Sequence, residues 1–196
     1  MTIVVSPPPD TSLDDFLAES ELIHWSSPTV LAQATELGAA DDGPFETAAR
    51  CFRWVRDNVR HSSDFQSNPV TCTAAEVLEH RTGYCYAKSH LLAALLRANS
   101  IPAGFCYQRL KLDETRFCLH GLNAVYLDDF GWYRVDARGD RTDVTTDFSP
   151  PEERLAFTVQ AAGECDFPQV LTEPLEEVVT ALRSHATWDD MLANLP

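Results

Sequence analysis

Apolar positions recur at helical spacing through most of the first half of the chain and then give way to strand-like runs. The first short helical pattern covers Leu13 to Ala18, with Thr11 and Ser12 as caps. A second runs from Ser27-Pro28 to Leu37, with Pro28 suited to a first turn and Gly38 to a C-terminal cap. A third opens at Pro44, and there Phe45, Ala48, Ala49, Phe52 and Val55 or Val59 share one face at i, i+3, i+4, i+7 spacing. That stripe predicts a helix laid against the core. The polar stretch HSSDFQSNPVTC reads as a loop, and Thr73-Ala74-Ala75-Glu76 reads as a capping box for a short helix ending near His80. From Cys85 to Asn99 the sequence is apolar almost all round, which predicts a central helix buried on most faces.

After Ser100-Ile101-Pro102 the period changes. Ala103 to Leu112, Gly121 to Leu127 and Trp132 to Val135 are rich in aromatic and β-branched residues and read as strands. The short link Asp128-Asp129-Phe130-Gly131 makes the last two an antiparallel hairpin. Beyond Phe148-Ser149-Pro150-Pro151, one helix opens at Pro174 and stops near Ser184, and another spans Thr187 to Leu195. Helices first and strands later predict an α+β fold: N-terminal helices, a central helix packed on an antiparallel sheet, and C-terminal helices. Residues 1–12 end in Pro7-Pro8-Pro9-Asp10-Thr11-Ser12 and are expected to form an extended arm, with 13–196 as one domain.

Composition narrows the function classes. The 196 residues, 44% hydrophobic and 23% charged, suit a globular chain that buries roughly 70% of its unfolded surface without a disulfide or structural metal. A net charge of −15 disfavours phosphate backbones and anionic lipid, so neither nucleic acid nor membrane is an expected partner. The N-terminus lacks a basic segment followed by an apolar one, and no run of about 18 apolar residues occurs, so a cytoplasmic location is expected. The six cysteines, Cys51, Cys72, Cys85, Cys106, Cys118 and Cys165, form no dense framework and should be reduced. Cys85 and His90, or Cys118 and His120, could be weighed as metal ligands. Without a C-x-x-C pair or H-E-x-x-H, however, such residues among apolar neighbours pack rather than ligate, and no metal or cofactor is expected.

Chemistry concentrates at Gly83-Tyr84-Cys85-Tyr86. A thiol in the first turn of a helix feels the positive end of the macrodipole, which favours the nucleophilic thiolate. Such a nucleophile needs a base in hydrogen-bond reach and a third group to orient the base. His120 opens one predicted hairpin strand and Asp136 closes the other, and in an antiparallel pair those ends are neighbours. Spacing alone thus brings His120 and Asp136 to one edge of the sheet. The backbone N–H of Cys85 is an expected oxyanion donor. Gln66, Asn68 and Tyr84 are candidates for a second donor, and His61, Asp64 and Glu164 for cleft-lining residues, with none singled out.

The stretches TGYCYAKSHLLAALLRANSIPAGFCYQRL and HGLNAVYLDDFGWYRVDARG resemble the bacterial transglutaminase-like superfamily. Its pattern of G-x-C heading a helix, A-x-L-L-x-A-L-L-R-A-x-G-I-P-A, H-x-x-x-x-V and W-x-x-x-D is met except at Ser89, where the pattern has alanine, and at Ser100, where glycine is usual. The likeness extends from about Leu13 through PPEERLAF and GECDF to Leu195-Pro196. It implies a papain-like core with Cys85 as nucleophile, His120 as base and Asp136 as orienter. It also implies acyl transfer or amide or peptide hydrolysis through a thioester, on a peptide, protein or small amide or thioester substrate, with an amine as a possible acceptor. Two alternatives stand beside it. One is an inactive transglutaminase-like binding or scaffold protein. The other is an acyltransferase like the arylamine N-acetyltransferases, which carry Cys, His and Asp in this order on longer chains.

Overall fold

The computed structural model describes residues 3–39 and 42–196. Met1 and Thr2, the start of the expected arm, lie outside the described residues. The helices are α1 (Pro28–Gly38), α2 (Gly43–Asn58), α3 (Ser62–Phe65), α4 (Ala74–His80), α5 (Cys85–Ala98), α6 (Glu176–Ser184) and α7 (Trp188–Ala193). The strands are β1 (Arg60–His61), β2 (Thr82–Gly83), β3 (Ala103–Lys111), β4 (Phe117–Leu127), β5 (Gly131–Val135) and β6 (Cys165–Asp166). The fold is α+β. α1, α2 and α4 pack on α5 from one side and β3 and β4 from the other.

The near-uniform apolarity of α5 has the expected consequence: every residue from Cys85 to Arg97 is buried. Leu91, Leu92, Leu95 and Leu96 are fully inaccessible, each contributing about 1.5–3 kcal/mol of burial free energy. The polar residues of α5 are buried too, and most find backbone acceptors on neighbouring segments. Lys88 Nζ donates to the Val59 carbonyl at 2.5 Å, and His90 Nδ1 lies 2.6 Å from the Cys72 carbonyl. Arg97 reaches the carbonyls of Ala103, Ala18 and Thr172. α5 is therefore tied to four loop segments as well as to the core.

The main sheet has the order β5-β4-β3-β6 and is antiparallel throughout. β1 and β2 form a separate parallel pair with His61 opposite Gly83. Four expectations need correction. The first helical pattern yields only a four-residue 3-10 turn, Leu13–Phe16, in which Phe16 alone is buried; one anchor cannot sustain a helix. β4 opens at Phe117 rather than Gly121, because Lys111 to Arg109 of β3 offer partners to Phe117 to Leu119. The expected loop after Arg60 contains β1 and α3. The edge strand β6 had no periodic signal, being two residues long.

The described part of the arm is extended, and it is fastened. The Ser6 N–H donates to the Pro168 carbonyl and the Val170 N–H to the Ser6 carbonyl, both at 3.0 Å, while Val5 packs with Phe16, Leu122 and Val170 on the outer sheet face. Gly104 makes that close approach possible. A Cβ there would meet Val170 Cγ1 at 2.5 Å, the Leu171 carbonyl at 2.8 Å and Phe16 Cε1 at 2.8 Å. Gly104→Ala should thus lower stability by about 1–3 kcal/mol, read as a reduced urea midpoint at unchanged m-value.

Candidate active site

β2 leads through Tyr84, the extended N-cap residue, into Cys85 as the first residue of α5. The Cys85 N–H is one of the amides at a helix start that have no intrahelical acceptor. All six cysteines are free, yet their surroundings differ. Burial pushes the thiols of Cys51 and Cys106 up to about 12, and those of Cys72 and Cys118 up to about 11. These four remain protonated at neutral pH. Cys85 and Cys118 both line the cavity that His120 faces, but only Cys85 heads a helix and is close enough to His120 to raise its imidazole.

β5 ends at Val135, opposite Asn123 of β4. From there toward Phe117 no strand among the described residues pairs with β4 on that side; the Leu119 N–H donates instead to the Pro196 carbonyl at 2.7 Å, and it is along this edge that His120 and Asp136 meet. Continuing the register, His120 and Asp136 are diagonal neighbours on one face, a separation that an imidazole can bridge. His120 Nε2 lies 2.7 Å from Asp136 Oδ2, and both side chains are almost wholly buried. Asp136 also accepts the N–H of Ala156 on Oδ2 at 2.9 Å and that of Arg138 on Oδ1 at 3.1 Å.

Burial opposes charge on both groups, but each holds the other ionised. Burial would lower His120; the adjacent Asp136 carboxylate and the Cys85 sulfur outweigh it and push the imidazole up to about 10. Burial would raise Asp136; His120 and the two backbone amides outweigh it and hold the carboxyl below its usual range. The Cys85 sulfur lies close enough to His120 to add to this rise. With Nε2 committed to Asp136, Nδ1 is the nitrogen left for the sulfur.

Cys85 and His120 open into a cavity of about 420 Å³. Leu110, Leu112, Leu192 and Leu195 give it an apolar wall, and Arg138 and Arg141 flank it. Phe157 closes one side, edge-on to the His120 ring at a centroid distance of 4.9 Å. The three residues expected at the centre are thus brought together. Of the candidate lining residues, His61 and Glu164 face the cavity, whereas Asp64 is held by the Arg138 guanidinium at 2.8 and 2.9 Å. Gln66 and Asn68 are not among the lining residues. The Tyr84 hydroxyl donates to the Trp188 carbonyl, and Asn68 Oδ1 accepts the Trp188 N–H at 2.7 Å. Ala156 and Phe157 escaped sequence reasoning, since nothing local marks them.

No group of three or more His, Cys, Asp or Glu side chains among the described residues is arranged to hold a metal ion. His90 points away from Cys85, toward the Cys72 carbonyl. No helix of the described residues is long and apolar enough to cross a membrane.

Comparison with known proteins agrees with this fold. A model of the Transglutaminase-like superfamily matches residues 31–137, a stretch that contains Cys85, His120 and Asp136. No curated protein matches the chain. Among solved structures, a candidate cysteine protease from Cytophaga hutchinsonii aligns with TM-score 0.54 and 22% identity over 69% of this chain and 46% of its own. The periplasmic domain of TgpA from Pseudomonas aeruginosa aligns with TM-score 0.49 and 21% identity over 65% of this chain and 48% of its own. The chain spans about half the length of these structures, and the first of them shares its papain-like, transglutaminase-like fold.

Proposed function

Because the chain belongs to the transglutaminase-like superfamily, we propose that it is a cysteine-nucleophile enzyme that transfers or hydrolyses an acyl group through a thioester on Cys85. The observation that carries this reading is the buried His120–Asp136 pair at 2.7 Å, set in one cavity with a thiol at a helix N-terminus.

In this mechanism His120 and Cys85 form an imidazolium–thiolate pair. The sulfur attacks the carbonyl carbon of an amide or thioester, forming the C–S bond as the carbonyl electron pair moves onto oxygen. When the carbonyl re-forms, the bond to the leaving nitrogen or sulfur breaks, and His120 hands its proton to that atom. Water or an amine then attacks the thioester, returns a proton to His120 and releases the acyl group as acid or amide. Asp136 keeps the imidazole oriented throughout and stabilises its charge in the steps where it carries the proton. The leucine-lined wall supports an aliphatic acyl portion on a peptide, protein or small-molecule substrate.

The test is alkylation by iodoacetamide across pH, with the modified cysteine mapped by mass spectrometry. An ordinary thiol loses reactivity about tenfold per pH unit below roughly 8.5. Cys85 is expected to label at nearly the same rate at pH 6 and pH 8, because the His120 imidazolium persists across that window. His120→Ala should restore the steep fall. Labelling of Cys85 no faster at pH 6 than that of the denatured chain would refute the reading and favour an inactive scaffold.

A further inference from the structure

The Cys85 amide supplies one hydrogen bond to a developing oxyanion, and a second donor has to come from the cavity wall. Among the polar groups lining it near the thiol, most are already engaged. The Tyr84 hydroxyl is given to the Trp188 carbonyl, the Arg138 guanidinium to Asp64, and that of Arg141 to Asp143. Lys111 lies toward the far end, paired with Phe117 on β4.

His61 differs from these. The β1–β2 ladder sets it opposite Gly83, two residues before Cys85, and its ring stands edge-on to Tyr84 at 5.5 Å. Its side chain is 7% exposed, and it lines the cavity together with Cys85. Nδ1 lies 3.0 Å from the Ser63 hydroxyl. The competing partner of that hydroxyl, Asp64, is farther at 3.4 Å and already bound by Arg138. A Ser63 hydroxyl donating to Nδ1 leaves the ring proton on Nε2, which has no hydrogen-bond partner among the described residues.

We propose that His61 completes the oxyanion site: its Nε2–H and the Cys85 backbone N–H together hold the substrate carbonyl oxygen as it becomes an oxyanion. The assignment rests on the Cys85 nucleophile reading. Burial, with the cations of Arg138 and Lys88 nearby, holds the imidazole well below its ordinary range, so it donates as a neutral group. A neutral donor fits beside the imidazolium of His120, where a second cation would be repelled.

Two reactions of the same sulfur separate this role from any other. Alkylation by iodoacetamide displaces iodide at a saturated carbon and forms no oxyanion. Acylation by p-nitrophenyl acetate passes through one: the C–S bond forms, the carbonyl pair moves onto oxygen and returns, and p-nitrophenolate leaves. His61→Leu, which keeps the bulk and removes the donor, should slow acylation by roughly 10²–10³-fold while alkylation of Cys85 stays within about threefold. His61→Gln, whose amide N–H can occupy the Nε2 position, should recover much of the acylation rate. Should His61→Leu fail to fold, the contrast of His61→Gln with Ser63→Ala carries the same test. Ser63→Ala releases the tautomer, so it should slow acylation and spare alkylation. Equal losses in both reactions would overturn the assignment by making His61 a partner of the thiol, and so would no loss in either. A wild-type Cys85 inert to both reagents would overturn the nucleophile reading and this assignment together.

Discussion

Asp136→Asn is expected to slow acylation of Cys85 by p-nitrophenyl acetate by roughly 10²–10⁴-fold, with the folded state retained. The substitution isolates charge from shape. Both carboxylate oxygens accept a backbone N–H, Oδ2 from Ala156 and Oδ1 from Arg138. An asparagine can therefore present its oxygen to His120 and Ala156 only by turning its amide N–H₂ toward the Arg138 N–H. The imidazole keeps a hydrogen-bond acceptor at Nε2 but loses the anion that outweighs its burial. Its ionisation falls from about 10 toward the range that burial favours, and the imidazolium–thiolate pair collapses at neutral pH. Labelling by iodoacetamide at pH 6 should fall with acylation, and a rate within threefold of wild type in both would count against Asp136 as orienter.

The same pair sets a pH dependence of stability. His120 is raised in the folded chain, so its contribution is complete below about pH 6.5, where the unfolded imidazole is also charged. It is lost as pH rises toward about 10. Asp136 is lowered, so its contribution holds above about pH 3.9 and is lost as pH falls through the folded value. Urea midpoints of wild type should thus decline between pH 6.5 and 10, and Asp136→Asn should flatten that decline.

The parts of this site that could be read from the sequence are those with a local signature. A preceding glycine and a run that is apolar on almost every side mark Cys85 as the head of a buried helix. The turn at Asp128–Gly131 makes the hairpin that brings His120 and Asp136 together. Even there the physical reason differs from the expected one: His120 lies inside β4, and the early end of β5 at Val135 leaves Asp136 beyond the ladder as its diagonal neighbour. The segment 140–167 was opaque because its order comes from side chains meeting backbone rather than from any period. Asp140 accepts the Thr146 N–H at 2.8 Å, and Glu164 accepts those of Lys111, Gln160 and Ala161. His61 was legible only as a polar loop residue, since a two-residue ladder leaves no propensity signal.

That opaque segment is fixed by one buried cation, and its removal should have the largest effect on stability. Arg134 on β5 donates Nε and Nη2 to Glu153 at 3.0 and 2.7 Å and Nη1 to Asp166 at 2.5 Å. Asp166 in turn accepts Gln108 Nε2 at 2.8 Å, and that same amide nitrogen lies 3.3 Å from the Phe157 carbonyl. Arg134→Met leaves two shielded carboxylates without a counter-charge, a loss of roughly 3–5 kcal/mol, measured by urea denaturation. Adding Glu153→Gln and Asp166→Asn should recover part of it, because the amides carry no charge to bury and the introduced asparagine would still accept from Gln108. A loss below about 1 kcal/mol would mean that solvent already screens the cluster. The cluster anchors the segment that delivers the Ala156 N–H to Asp136 and the Phe157 ring to His120. Arg134→Met should therefore also slow Cys85 acylation and raise protease cleavage within 141–160 before global unfolding, the sign that this clamp, rather than the core around α5, holds the histidine–carboxylate pair in place.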